Sequence, residues 1–308
     1  MKKIFLITLS IVSIIFSQMS FSEPDNHKGI VIVSDSGNNR IQEFSPNGVF
    51  LRQWGGLGTG KGQFNSPGGI GVDKNKNSYI ADGLNNRIQK FDGKGRYLTQ
   101  WGTLGTGNGQ MNNPYSATSA CDGKIYVVDT FNNRIQVFTG DGHYIKQWGV
   151  LGADRGEFDQ PQAATLDDQG NIYVADGNNN RIQKFTRNGT FLLAWGTSGK
   201  SAGQFDSPIG ITSLGHFIYV VDMNNNRIEK FTIDGVFVME WGSLGAGRGQ
   251  FNVPEDITAS PDGYIYVADS GNNRIQKFTE NGKWIGGWGT AGLGEGQFNS
   301  PDGIKFAK

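Results

Sequence analysis

The chain has 308 residues, with 28 basic and 28 acidic side chains, three histidines and one cysteine. That balance excludes the broad basic surface that nucleic-acid binding needs to displace phosphate counterions. A lone cysteine excludes an internal disulfide framework, so stability has to come from a core.

Residues 1–22 read as a secretory signal peptide. Lys2 and Lys3 precede an apolar run over residues 4–16, and Ser20 and Ser22 are the small residues a signal peptidase reads. The run is short for a bilayer span. Cleavage is expected after Ser22, leaving 23–308 as one domain, secreted or periplasmic. No cysteine stands near that point, so no lipid anchor is expected. The mature net charge is about −2, counted formally. No other long apolar stretch occurs, so no membrane span is expected.

From residue 29 onward one unit repeats. The tetrad Asn-Asn-Arg-Ile occurs six times, with its arginines at Arg40, Arg87, Arg134, Arg181, Arg227 and Arg274. Five residues before each stands an aspartate: Asp35, Asp82, Asp129, Asp176, Asp222 and Asp269. The spacings of 47, 47, 47, 46 and 47 residues mark one supersecondary unit copied along the chain.

The copy around Asp176 shows its parts. After Pro161, a short strand is predicted over 163–166, then a turn at Asp167-Asp168-Gln169-Gly170. A second strand over 172–176 is apolar on both faces, so both faces should be covered. After three asparagines, a third strand runs over 181–185. Arg187-Asn188-Gly189 turns it into a fourth over 191–195. A glycine-rich connection then leads to Pro208. Four short strands per repeat, six times over, read as propeller blades. No 3.6-residue hydrophobic period supports a helical solenoid. The expectation is an all-β, six-bladed propeller of four-stranded antiparallel blades. The first strand, 30–35, enters mid-blade and the last, 303–307, is a lone inner strand. Their pairing would close the ring and leave no exposed edge at the seam.

The run Val-Ala-Asp-x-x-Asn-Asn-Arg-Ile-Gln-Lys-Phe, followed by aromatic-Leu-x-x-Trp-Gly and Gly-x-Gly-Gln-Phe, resembles the NHL repeat over residues 29–308. The resemblance implies a propeller. It leaves the activity open, because one scaffold carries many functions.

Residues present in every copy read as structural. The six Asp and Arg residues flank one loop, close enough for charge-assisted hydrogen bonds. The asparagines suit left-handed turns. The alternative, a ring of charges that binds an anion, is less economical than mutual pairing. Trp54, Trp101, Trp148, Trp195, Trp241 and Trp288 end fourth strands, and Trp284 fills an aromatic column four residues earlier. All seven are expected at blade boundaries, against the alternative of a carbohydrate platform.

Function is expected where the copies differ on the face bearing the inter-blade connections. The residue after each repeat proline varies: Gly68, Tyr115, Gln162, Ile209, Glu255 and Asp302. The loop between second and third strands carries Leu84, Phe131 and Met223. An acidic wall of Glu255, Asp256 and Asp302 is expected to face an aromatic wall of Tyr115 and Phe131 across the channel. With Gln162 these residues form the candidate ligand site. The ligand would carry a cationic end and an apolar body: a protein, a peptide side chain or a small amine. No cofactor is expected, with calcium on Glu255, Asp256 and Asp302 as the alternative. Ordinary variation at exposed positions is the plain alternative to any site.

Signals for catalysis are few. Some six-bladed relatives are enzymes; peptidyl-amidating lyases hold zinc with several histidines, and lactonase-like hydrolases also share the architecture. His27, His143 and His216 fall in separate places with no metal-binding spacing. No Gly-x-Ser-x-Gly elbow occurs. Cys121 maps to an exposed turn with no basic sequence neighbour. A monomeric binding module is the expectation, with a metal-dependent propeller lyase or hydrolase as the alternative.

Overall fold

The computed structural model describes residues 29–308, so the signal-peptide reading and His27 lie outside the described residues. Six four-stranded antiparallel sheets form a ring. Blade 1 is built from both ends of the chain: β24 (Pro301–Ala307), β1 (Ile30–Asp35), β2 (Arg40–Phe44) and β3 (Phe50–Gly55), in that order from the channel outward. Ile30 pairs with Ala307 and Val33 with Ile304, so the seam is an ordinary strand pair. Blade 2 comprises β4 (Pro67–Val72), β5 (Ser78–Asp82), β6 (Arg87–Phe91) and β7 (Tyr97–Trp101). Blades 3 to 6 repeat it from Pro114, Pro161, Pro208 and Pro254.

The predicted second, third and fourth strands around Asp176 match the observed Ile172–Asp176, Arg181–Phe185 and Phe191–Trp195. The inner strand begins two residues earlier than expected, at Pro161. A proline fits there because the first strand residue need not donate to the ladder.

Each blade junction encloses its own apolar cluster. Between blades 3 and 4, for example, Tyr126, Val128 and Ile135 pack against Ile172, Val174 and Phe185. The tryptophans straddle these junctions. Trp54 lies 5.9 Å from Phe91 and Trp101 lies 5.8 Å from Phe138, both in the following blade. The same indole–phenyl contact recurs up to Trp288 on Phe44, which joins blade 6 to blade 1. Tilted pairs at these distances add to the burial of large aromatic surfaces. The tryptophans therefore serve the blade boundaries.

The tetrads have equally definite work. In blade 3, Arg134 Nε donates to Asp129 at 2.7 Å, directly across the strand pair. Its Nη1 and Nη2 donate to the carbonyls of Thr106, Gly107 and Gln110 in the preceding inter-blade connection. The first asparagine, Asn132, donates to Asp129 and to the Gly105 carbonyl. The second, Asn133, adopts φ 53°, the left-handed conformation this residue tolerates. Its Oδ1 accepts the backbone N–H of Gln160, just before the next blade. Each tetrad thus ties its own loop to the connections on both sides.

The same aspartate–arginine pair forms in all six blades: Arg40 on Asp35, Arg87 on Asp82, Arg134 on Asp129, Arg181 on Asp176, Arg227 on Asp222 and Arg274 on Asp269. Burial is not equal among them. In blade 3 the fourth-strand Gln147 side chain accepts a further bond from Arg134. Blades 4 and 6 carry Ala194 and Gly287 at that position, opposite Gln183 and Gln276. Arg181 and Arg274 accordingly lose that partner and its cover, and their side chains are the most exposed of the six, at 16% and 20%. Arg274 still donates to Asp269 at 2.6 Å and to the carbonyls of Ala246, Gly247 and Gln250. Its role is therefore the same as that of the buried copies.

Candidate functional site

The residues after the repeat prolines open the inner strands and line the top of the channel. Here the structure departs from the sequence expectation. Tyr115 does not stand on a wall facing the acids across open space. Its side chain crosses the channel, packs beside Ile209 and Met223, and ends between the two carboxylates. The phenol oxygen lies 2.7 Å from Glu255 Oε2 and 2.9 Å from Asp302 Oδ1. A tyrosine is long enough to span this narrow mouth, so three blades meet at one hydroxyl.

One hydroxyl carries one proton and touches two carboxyl groups. Removal from bulk water raises the pKa of Asp302 well above the usual carboxylate range, and the charge of Glu255 raises it further. Glu255 is raised too, chiefly by burial, and its hydrogen bond from Tyr115 works against the shift. The consistent arrangement has Asp302 protonated and donating to Tyr115, while Tyr115 donates to Glu255. Two like charges at one site hold a shared proton for this reason. Burial first, then the two acids, pushes the phenol pKa well upward as well.

Asp256 lies deeper. Its Oδ2 accepts the Ile304 N–H at 2.9 Å. Burial pushes its pKa up to about 7, against the opposing pull of backbone N–H groups and Lys305. Lys305 is itself depressed by burial. Both line a tight channel interior with Thr118, Thr165 and Thr212. Among the described residues no group of three or more His, Cys, Asp or Glu is placed to hold a metal ion. Asp256 turns an oxygen inward to the backbone, whereas Glu255 and Asp302 meet at Tyr115.

Beside the two upper acids a polar depression of about 370 Å³ opens toward blades 1 and 2, lined by Ser36, Asn39, Ser66, Ser270 and Ser300. Phe131 is not gathered there. It stands half exposed on the same face, as does Leu84. Gln162 packs beside Gly177 in its own blade. The structure therefore unites Tyr115, Glu255 and Asp302 at one hydroxyl, with Phe131 on a loop of the same face.

His143 and His216 occupy turns of different blades on the opposite face, so they do not fit a zinc site of the lyase kind. Cys121 is exposed, as expected. Sequence proximity missed Arg187 of the next blade, whose Nη2 lies 3.7 Å from the thiol. Only the blade-to-blade spacing brings that cation close.

The NHL repeat model matches residues 158–185 and 251–278, each running from the end of an inter-blade connection through the third strand. This chain is an NHL-repeat β-propeller. No curated protein matches the NHL propeller described here. Solved structures share its fold. Virginiamycin B lyase from Staphylococcus aureus, in a catalytically inactive variant with quinupristin, superposes with a TM-score of 0.60 at 22% identity, covering 84% of this chain and 80% of that one. A protein of unknown function from Bacteroides caccae gives 0.65 at 14% identity, covering 91% and 99%. A chain of a nidogen/laminin complex gives 0.65 at 15%, covering 91% and 98%. At these identities the likeness concerns architecture alone.

Proposed function

We propose that the NHL propeller is an exported binding module that takes a cationic group at the channel mouth. One observation carries the proposal: Glu255 and Asp302 converge on the Tyr115 hydroxyl, at 2.7 and 2.9 Å. Two half-buried acids that meet at a phenol and share a proton are an incomplete constellation. An ammonium or guanidinium can replace the proton and donate to both carboxylates, which is the usual completion for desolvated acids. The half-exposed Leu84 and Phe131 offer apolar surface on the same face for the body of the ligand.

The proposal is tested with agmatine, which joins a guanidinium and an ammonium by a short apolar stem. Calorimetry at neutral pH should show one-to-one binding. Glu255→Gln with Asp302→Asn should weaken it at least tenfold, about 1.4 kcal/mol. Wild-type affinity should increase as pH rises, because the ligand displaces a proton held above the normal carboxylate range. Unchanged affinity in the double variant, or affinity that falls as pH rises, would sink the idea.

Export rests on Lys2, Lys3 and the apolar run over residues 4–16. The protein recovered outside the cytoplasm should have a mass corresponding to a chain that begins at Glu23. A retained Met1 would reverse this part of the proposal.

A further inference from the structure

The face opposite the mouth carries a second pocket, at the junction between blades 1 and 2. Comparison with the other junctions explains its origin. The second strand of every other blade carries a buried tyrosine three residues before the repeat aspartate: Tyr79, Tyr126, Tyr173, Tyr219 and Tyr266. Blade 1 has Ile32 instead. Four of the tyrosines donate to a turn carbonyl of the following blade, at Arg187, Ile233, Glu280 and Pro46. A lysine lies over three of these rings, with Lys184, Lys230 and Lys277 Nζ at 5.2, 5.3 and 5.3 Å from the centroids of Tyr173, Tyr219 and Tyr266.

Blade 1 omits the ring and reverses the charge beside it, with a cation supplied from a different position. The lysine position is Glu43, which is only 3% exposed. Its neighbour Arg52 pairs with it, Nε to Oε2 at 2.6 Å, and sends Nη2 to the Gly93 carbonyl at 2.7 Å. The turn carbonyl is therefore satisfied and a cation is in place. Where the phenol is missing, a pocket of about 380 Å³ opens at the junction, lined by apolar Ile32 and Ala307 and by the polar side chains of Glu43, Arg52, Lys76 and Asp92. An apolar cavity of about 150 Å³ already suffices to bind benzene.

We propose that this seam pocket binds a small phenolic compound, with the aryl ring where the other blades place their own tyrosine. The ring would rest on Ile32 and Ala307 near the Arg52 guanidinium, a cation–π setting the fold already uses at its other junctions. The hydroxyl would donate to Glu43. A buried phenol donating to a carboxylate already occurs in this protein, with Tyr79 on Asp73 at 2.9 Å. The pocket is separate from the channel mouth, so it stands or falls independently of the cation site.

The probe is p-cresol, titrated into the whole protein by calorimetry. One-to-one binding with a dissociation constant below ~1 mM is expected. Methylating the hydroxyl, in 4-methylanisole, should weaken binding at least fivefold by removing the donor. Ile32→Tyr should fill the pocket, weaken p-cresol binding at least tenfold and leave the circular dichroism spectrum unchanged. Ala307→Leu, which narrows the same pocket from the strand end, gives the same reading if the tyrosine variant does not fold. Absence of one-to-one binding overturns the proposal. So does p-cresol binding that survives in the folded variants, or equal binding of the methyl ether.

Discussion

Replacing Arg134 with alanine should destabilise the protein by about 3–5 kcal/mol, the range for leaving one partner of a buried ion pair without the other. Asp129 is fully buried, and the Arg134 side chain is 6% exposed. The substitution removes the Nε donor to Asp129. It also frees the carbonyls of Thr106, Gly107 and Gln110 and the side-chain oxygen of Gln147. An exposed pair would contribute at most about 1 kcal/mol. This pair differs because its guanidinium satisfies backbone groups of the inter-blade connection as well as the carboxylate. Asp129→Asn added to Arg134→Ala should restore part of the loss, since the uncompensated charge disappears while the carbonyls stay unpaired. Urea unfolding followed by tryptophan fluorescence measures each step of this cycle. A loss of only about 1 kcal/mol for Arg134→Ala would place the tetrads among ordinary surface pairs.

That prediction rests on features the sequence displays openly. A period of 46 or 47 residues defines the blade, and the mid-blade first strand with the lone last strand points to the closure. The aspartate–arginine spacing places both residues on facing positions of one tight loop. Left-handed turns at the second asparagine follow from its short polar side chain. All of these are local, and local geometry repeats whenever the sequence does. The greater exposure of Arg181 and Arg274 is less legible, because it depends on the fourth-strand residue lying two strands away from the aspartate.

The mouth is legible only in part. Tyr115, Glu255 and Asp302 stand out as departures in the column after the repeat prolines. Their meeting at one hydroxyl depends on the channel width, which no periodicity encodes. The expected opposition of an aromatic and an acidic wall assumes a wider opening than a tyrosine can bridge. Phe131 occupies a loop rather than an inner strand. Arg187 near Cys121 is hidden for a similar reason: the two are 66 residues apart and meet only through the stacking of adjacent blades. Ile32 and Glu43 are visible departures from their columns, but the resulting space emerges only when the junction is assembled.

Glu229→Gln should stabilise the protein, and by more as the pH rises. Every other blade has glutamine at this position: Gln42, Gln89, Gln136, Gln183 and Gln276. Each glutamine donates to its repeat aspartate and to a connection carbonyl, as Gln136 does to Asp129 and to Gln110 at 3.0 and 2.6 Å. An ionised glutamate can donate neither bond, and it adds charge beside buried Asp222. Arg227 compensates in part, with Nη2 at 2.7 Å from Glu229. Burial still dominates, and the Glu229 pKa is pushed up to about 8. A folded-state pKa raised above the unfolded value of 4.5 means that the folded protein holds the proton more tightly. The associated stability is present in full below the unfolded pKa and is lost as pH rises through the window to about 8. Glutamine does not titrate, so the variant keeps that stability throughout. The gain should be small near pH 5 and reach roughly 2–4 kcal/mol at pH 9, reduced from the full linkage value because the Arg227 coupling is shared. Arg227 keeps Asp222 and Glu240 as partners at 2.8 and 2.6 Å, so removing one carboxylate leaves it paired. Urea unfolding at pH 5, 7 and 9 provides the comparison. A gain that does not grow with pH would show that Glu229 is ionised in the folded blade, balanced by Arg227 and the Gly203 N–H.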